Sequence, residues 1–168
     1  LINPIAGHGL APKIEGMIAT SSLAKKYDIT VLHTQYAGHA KVLAQDAVSK
    51  NIDVVVAVGG DGTVNEVGSA LVNSNTKLGI IPAGSGNGLA NHIGMKSNPK
   101  FALEQLANGL FQKIDSLEIN ERFAVNVSGF GFDGYVAWLF NNSGKRGLSN
   151  YTKIGMQEYF KYPIAGFK

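Results

Sequence analysis

An open parallel α/β sheet of the Rossmann type, with helices on both faces, is the fold class that the sequence predicts, and three observations predict it. Strand-like and helix-like patterns alternate over the first two-thirds of the chain, the order that builds parallel sheets. The run Val54-Val55-Val56-Ala57-Val58 shows no polar alternation, as a central strand covered on both sides requires. After residue 112 the texture changes to short alternating strands, which predicts the opening of a second, antiparallel β-rich domain. The expected division is an α/β domain over 1–112 and the truncated start of a β-rich domain over 113–168.

The elements follow in order. "LINPIAG" ends a strand, Pro12 to Ala24 suits a helix, and "YDITVLHT" reads as a second strand. Gly38 to Lys50 places Val42, Leu43, Ala47 and Val48 at helical spacing. The strand Asp53–Val58, a helix from Val64, the strand "KLGIIP", a glycine loop and the helix Pro99 to Asn108 complete the alternation. Pro99 fits a first helical turn, with Asn98 or Ser97 as cap. Beyond it, "KIDSLEINERFAVNVSGFGF" reads as two strands joined at Asn120-Glu121, and Tyr135 to Phe140 opens a helix.

Composition narrows the function. Of 168 residues none is cysteine, which excludes disulfides and thiolate zinc sites and fits a reducing cytoplasm. The apolar run at Val54–Val58 is too short to span a bilayer. A net charge of +3 does not argue for nucleic acid. The charge is uneven, however: after Asn141, Lys145, Arg146, Lys153, Lys161 and Lys168 face one acid, Glu158. That basic end suits phosphates or an anionic membrane surface, or is simply a solvated face. The chain opens without Met inside an apparent strand and reads as a fragment.

Three glycine-bearing turns fall at the ends of predicted strands: Asn3-Pro4-Ile5-Ala6-Gly7-His8-Gly9, Gly59-Gly60-Asp61-Gly62-Thr63 and Pro82-Ala83-Gly84-Ser85-Gly86-Asn87. Ligands of open parallel sheets bind there, and successive backbone N–H groups suit phosphate oxygens. The Walker and dinucleotide fingerprints are both missing from the sequence. Thr63 and Glu66 fit a T-x-x-E capping box, so Glu66 is either a cap or a ligand group. Asp61 has no capping need that Thr63 leaves unmet; it suits a magnesium ligand, direct or through water, or a base for an attacking hydroxyl.

Other residues tempt less. His8, His33, His39 and His92 show no metal-ligand spacing, and His39 at a helix start is a phosphate contact or a surface histidine. Ser85 lacks a G-x-S-x-G elbow, which argues against a hydrolase nucleophile. The stripe Tyr135, Val136, Leu139, Phe140, with Trp138, is read as core in preference to an acyl-chain pocket.

"GGDGTVNEV" resembles the signature of the diacylglycerol kinase catalytic domain, shared by bacterial lipid kinases, sphingosine kinases and ceramide kinases. "NPIAGHG", "GIIPAGSGNGLA" and "FAVNVSGFGFDGYV" resemble its other motifs, in the same order. The resemblance implies an ATP-dependent lipid kinase that moves the γ-phosphoryl group to a lipid alcohol, with Mg²⁺, at a peripheral membrane surface in the cytoplasm. It implies that the second domain is a β-sandwich. It assigns ATP binding to Asn3, Pro4, Thr34, Gly59, Gly60, Asp61, Gly62, Thr63, Asn65, Glu66, Gly84, Ser85, Gly86 and, through the Lys145-Arg146 pair, Arg146. Asp61 is implied as the catalytic residue, either the base or part of a magnesium and water network, and Asp133 as the group that holds the lipid's polar head.

Two departures from the family pattern stand out. The third loop reads Asn87-Gly88 where bacterial diacylglycerol kinases usually read Asn-Asp, which shifts the expected acceptor towards a sphingoid-like alcohol. The later Asp-Gly-Glu motif does not occur in these 168 residues. Rival readings are a soluble acceptor such as NAD on the same scaffold and a non-catalytic nucleotide-binding module.

Overall fold

The computed structural model describes residues 1–8, 11–126, 128–129, 131–144 and 147–163. The chain forms two compact units, Leu1–Asn126 and Val127–Lys168.

In the first unit, β1 (Val54–Gly59) and β2 (Lys77–Pro82) pair in parallel, from Val54 opposite Lys77 to Gly59 opposite Pro82. Ile2 extends the sheet through parallel bridges to Val58 on one side and His33 on the other. The order across the sheet is therefore the His33 segment, the Ile2 segment, β1 and β2. The strand expected over Tyr27 to Thr34 is reduced to that contact, because its neighbour among the described residues is short: Thr34 N donates to Ile2 O at 2.9 Å, and Pro4 then has no N–H to continue that ladder.

Helices cover both faces. On one side α1 (Ala11–Thr20), α2 (Ser22–Lys26) and α6 (Pro99–Asn108) build a core with Ile2, Val58, Ile81 and Leu103. On the other, α3 (His39–Ser49), α4 (Asp61–Leu71) and α5 (Gly88–His92) enclose Val55, Ala57, Val67 and Ile80. Consecutive Ile80 and Ile81, 2% and 1% exposed, thus serve opposite cores. Burying each stabilises the fold by about 1.5–3 kcal/mol, which is why β2 carries no polar alternation over its last four residues.

Helix ends explain the differences from expectation. The helix expected over Pro12 to Ala24 divides at Ser21, where Thr20 Oγ1 donates to the Gly16 and Met17 carbonyls and Ser21 Oγ to Ile18 O, competing with the helical ladder. α4 begins at Asp61, not Val64, with extended Gly60 as its N-cap. α6 begins as expected: Asn98 accepts from Lys100 N at 3.0 Å, and Pro99 occupies its first turn.

β3 (Leu117–Ile119) and β4 (Arg122–Ala124) form an antiparallel hairpin. Its two central residues, Asn120 and Glu121, have φ of 48° and 62°, the paired positive values that match strand twist in a two-residue turn. The hairpin has the antiparallel character expected where a second domain begins, and it packs on α4 within the first unit, Phe123 against Gly68. The compact units divide after Asn126.

In the second unit, α7 (Phe132–Asn142) packs on α8 (Leu148–Glu158), an element the sequence reading did not anticipate. The aromatic stripe divides: Val136 is buried against Gly155, whereas Trp138 is 61% exposed. Among the described residues no helix is long and apolar enough to cross a membrane.

Candidate functional site

The turns that follow the parallel strands meet at one edge of the first unit. A side chain on Gly60 would lie 3.1 Å from Gly84 Cα, and one on Gly84 would overlap Gly60 Cα and approach Asn87 Oδ1 to 2.9 Å. The loops after β1 and β2 therefore touch backbone to backbone, and only glycine permits that approach. These two glycines are explained by each other, before any ligand is considered.

Asp61 locks the contact. It is the first residue of α4, but its carboxylate reaches across to the start of α5: Oδ1 accepts from Gly88 N at 2.6 Å and Oδ2 from Asn87 N at 2.9 Å. An anionic acceptor at a helix start is favoured both by charge-assisted hydrogen bonding and by the helix dipole. The side chain is exposed, and each oxygen retains accepting capacity towards solvent. Asn87, absent from the expected site, closes the loop on itself. It takes left-handed φ and ψ of 54° and 44°, accepts from Gly84 N at 2.8 Å and donates to Gly84 O at 2.7 Å.

These bonds redistribute the expected phosphate cradle. The N–H groups of Gly84, Asn87 and Gly88 are already taken by side chains. The first bond of α4 runs from Val64 N to Gly60 O, so the amides of Asp61, Gly62 and Thr63 precede the helical ladder and point out of its N-terminus. No atom lies within 4 Å of where a Gly62 side chain would stand. The open amides at the N-terminus of α4 can seat an anion, and in the Gly84–Gly86 loop the Gly84 N–H is spent on Asn87 Oδ1.

The capping box expected for Thr63 and Glu66 does not form, because α4 starts three residues before Val64 and Thr63 already lies inside it. Thr63, 7% exposed, accepts from Asn3 Nδ2 at 3.1 Å, tying the Asn3 turn to α4. Glu66 caps a different helix: it accepts from Gly38 N at 2.9 Å and Ala40 N at 3.2 Å at the start of α3. Asn65 is turned to the hairpin, donating to Phe123 O and accepting from Val125 N, both at 3.1 Å. Thr34 is buried at the end of the His33 segment, where its N–H donates to Ile2 O. Pro4, Ser85 and Gly86 are exposed on the loops, and Gly59 faces the Thr63 side chain. His39 accepts from Gln35 N through Nδ1 and stacks on Tyr36 at 4.6 Å.

Asp133 lies in the second unit, at the start of α7. It accepts from the Tyr151 hydroxyl at 2.8 Å, and that bond pushes the Tyr151 phenol above its ordinary value, with burial and the carboxylate charge adding to it. Arg146 and Lys145 lie outside the described residues. Among the described residues no three or more His, Cys, Asp or Glu side chains gather as a metal site.

A parallel sheet with helices on both faces, and interlocked turns around one carboxylate at its strand ends, defines an open α/β domain whose turns lie where ligands of such sheets bind. The comparisons specify the family. The pattern of the diacylglycerol kinase catalytic domain matches residues 1–119, and the chain belongs to that family of lipid kinases. It is 30% identical over 134 residues to a diacylglycerol kinase of Bacillus subtilis (strain 168), covering 78% of this chain and 44% of the relative. With a diacylglycerol kinase of Mycobacterium tuberculosis (strain CDC 1551 / Oshkosh) it shares 34% over 142 residues, 81% of this chain and 46% of the other. The crystal structure of a diacylglycerol kinase from Bacillus anthracis str. Sterne superposes with a TM-score of 0.66 at 30% identity, over 73% of this chain and 45% of that one. The chain thus spans less than half the length of each of these relatives.

Proposed function

We propose that the chain is the nucleotide-binding part of a lipid kinase that uses ATP and transfers its γ-phosphoryl group to a lipid alcohol. The observation that carries this reading is Asp61, held by two backbone N–H groups where the loops after β1 and β2 interlock. The acceptor oxygen attacks the γ-phosphorus, the bond to the bridging oxygen breaks, and ADP departs with that electron pair. The open N-terminus of α4 seats phosphate oxygens, with the Asn3-Pro4 and Gly84-Ser85-Gly86 turns and Thr34 beside it. Asp61 either takes the acceptor's proton or, with that proton passing to solvent, would help to hold Mg²⁺ directly or through water.

The donor set fits that ion in one manner. A single exposed carboxylate is no cage for Mg²⁺, but the ion usually keeps several waters and is held by one or two carboxylates with substrate phosphates. Asp61 is the residue that would meet it, and when bound it supplies neutralisation of the phosphate charge.

The names of the relatives favour diacylglycerol as acceptor, with a sphingoid-like alcohol as the alternative. Asp133 and Arg146 are proposed to contact the lipid head and the phosphates respectively. A membrane-resident acceptor makes peripheral attachment at a cytoplasmic bilayer surface the natural setting. The test is phosphoryl transfer from γ-labelled ATP by the full-length protein to diacylglycerol, sphingosine and ceramide in mixed micelles, with NAD as a soluble acceptor. One labelled lipid names the acceptor. Labelled NAD alone, or nucleotide binding without transfer, refutes the reading.

A further inference from the structure

We propose that Asn126 is a further substrate-contacting residue of this site, its carboxamide donating to an oxygen of the transferring phosphoryl group beside Asp61. The inference rests on the phosphotransfer reading above and extends it to a residue no motif assigned.

Asn126 lies two residues beyond β4, and its backbone is placed by the Asn65 side chain, which holds Phe123 O and Val125 N as a neighbouring strand would. Its own side chain ends at Gly88. A methyl group built on Gly88 would overlap Asn126 Nδ2, stand 3.3 Å from its Cγ and 3.5 Å from Asp61 Oδ1. The carboxamide, the first amide of α5 and the Asp61 carboxylate therefore converge on one point. Gly88 is glycine for this reason: any side chain there would displace the carboxamide.

Among the described residues no hydrogen bond holds that carboxamide, although the residue is half-buried. Its neighbours are differently placed. Asn3, Asn65, Asn87 and Asn91 all use their side-chain amides on other parts of the protein. A half-buried amide with no partner among the described residues retains both a donor and an acceptor for another molecule. Chemistry selects the donor. A phosphoryl oxygen approaching Asp61 meets a negative charge, and a neutral N–H donor alongside offsets that repulsion, most of all when charge spreads over the equatorial oxygens in the transition state.

The experiment uses the full-length protein and the variants Asn126→Ala and Asn126→Asp. Affinity is measured for ADP and for a non-hydrolysable ATP analogue, and kcat and KM for the accepted substrate. Asn126→Ala is expected to weaken the analogue about tenfold while ADP stays within about twofold, and to lower kcat by about a hundredfold, the usual cost of one such donor. Asn126→Asp, which adds a second negative charge, is expected to weaken the analogue further. Equal weakening of ADP and analogue, or no change in the analogue and kcat, overturns the proposal and leaves Asn126 a packing residue. Should Asn126→Ala not fold, Asn126→Ser keeps a hydroxyl donor on a shorter side chain and is judged by the same ADP-to-analogue ratio. The binding arm needs no lipid. A shifted ratio without lipid labelling would therefore sink the lipid-kinase reading while leaving Asn126 at the γ-phosphate.

Discussion

Asp61→Asn is the substitution by which such a site is ordinarily tested, and it perturbs architecture as well as chemistry. The carboxylate bridges Gly88 N at 2.6 Å and Asn87 N at 2.9 Å. An asparagine keeps one acceptor and turns an NH₂ group towards the other N–H. Hydrogen bonds to charged groups contribute about 1.5–3 kcal/mol, and solvent exposure places this pair at the low end. Losing one bond costs about 1.5 kcal/mol, and losing the charge at the start of α5 costs about 0.5 kcal/mol more. Roughly 2 kcal/mol of local stability corresponds to about thirtyfold in the opening equilibrium of the loop. Amide hydrogen exchange in the full-length protein reads it directly: Asn87 and Gly88 should exchange about thirtyfold faster. Gly38 and Ala40, held by Glu66 at α3, should not change. Exchange at Asn87 and Gly88 within threefold of the parent, or an equal rise at Gly38 and Ala40, would refute the tether. If the tether is real, lost activity in Asp61→Asn is no proof of a proton-accepting role.

Gly84→Ala should lower thermal stability by about 1–3 kcal/mol through overpacking against the Gly60 backbone, and weaken nucleotide binding with it. Gly62→Ala meets no atom within 4 Å inside a helix and should raise stability by about 0.5–1 kcal/mol; a fall in nucleotide affinity despite that gain, measured by titration calorimetry, would mark a phosphate close to Gly62. Glu66→Gln should cost about 1 kcal/mol and speed exchange at Gly38 and Ala40 while sparing Asn87; unchanged exchange there would exclude the cap. The Tyr151 phenol, raised above its ordinary value of 10.0 by the Asp133 bond, should ionise at lower pH in Asp133→Asn when followed by tyrosinate absorbance. Because the folded value is the higher one, the stabilisation from this bond is complete below pH 10 and is lost as pH rises through the folded value. An Asp133→Asn titration that overlays the parent would remove the pairing.

Much of the architecture was legible because period and punctuation are local. The unalternated Val54–Val58 run, the Asn98-Pro99 helix start and the Asn120-Glu121 turn each carry their reason within a few residues. The elements that escaped lack that reason. α5 has five residues, too few for a 3.6-residue period to register. The segment before Thr34 alternates like a strand, yet a strand needs a neighbour, and the Ile2 segment gives it a single bridge.

The site was legible in a different way. Its glycines and Asp61 announce themselves, but which groups they serve depends on sheet order, which no local pattern contains. T-x-x-E is a sound capping rule, but here its residues serve other groups: Thr63 accepts from Asn3, Glu66 holds the start of α3, and the acid at the start of α5 is Asp61. The parallel sheet sets the start of α3 beside α4 and the loop after β2 beside the loop after β1, so each carboxylate satisfies amides more than twenty residues away. Glycine at position 88 makes the same point in reverse. In the sequence it looks like a carboxylate lost; in the fold it is the space that the Asn126 carboxamide fills. A departure from a motif at one position is therefore interpretable only together with the residue that the fold brings against it.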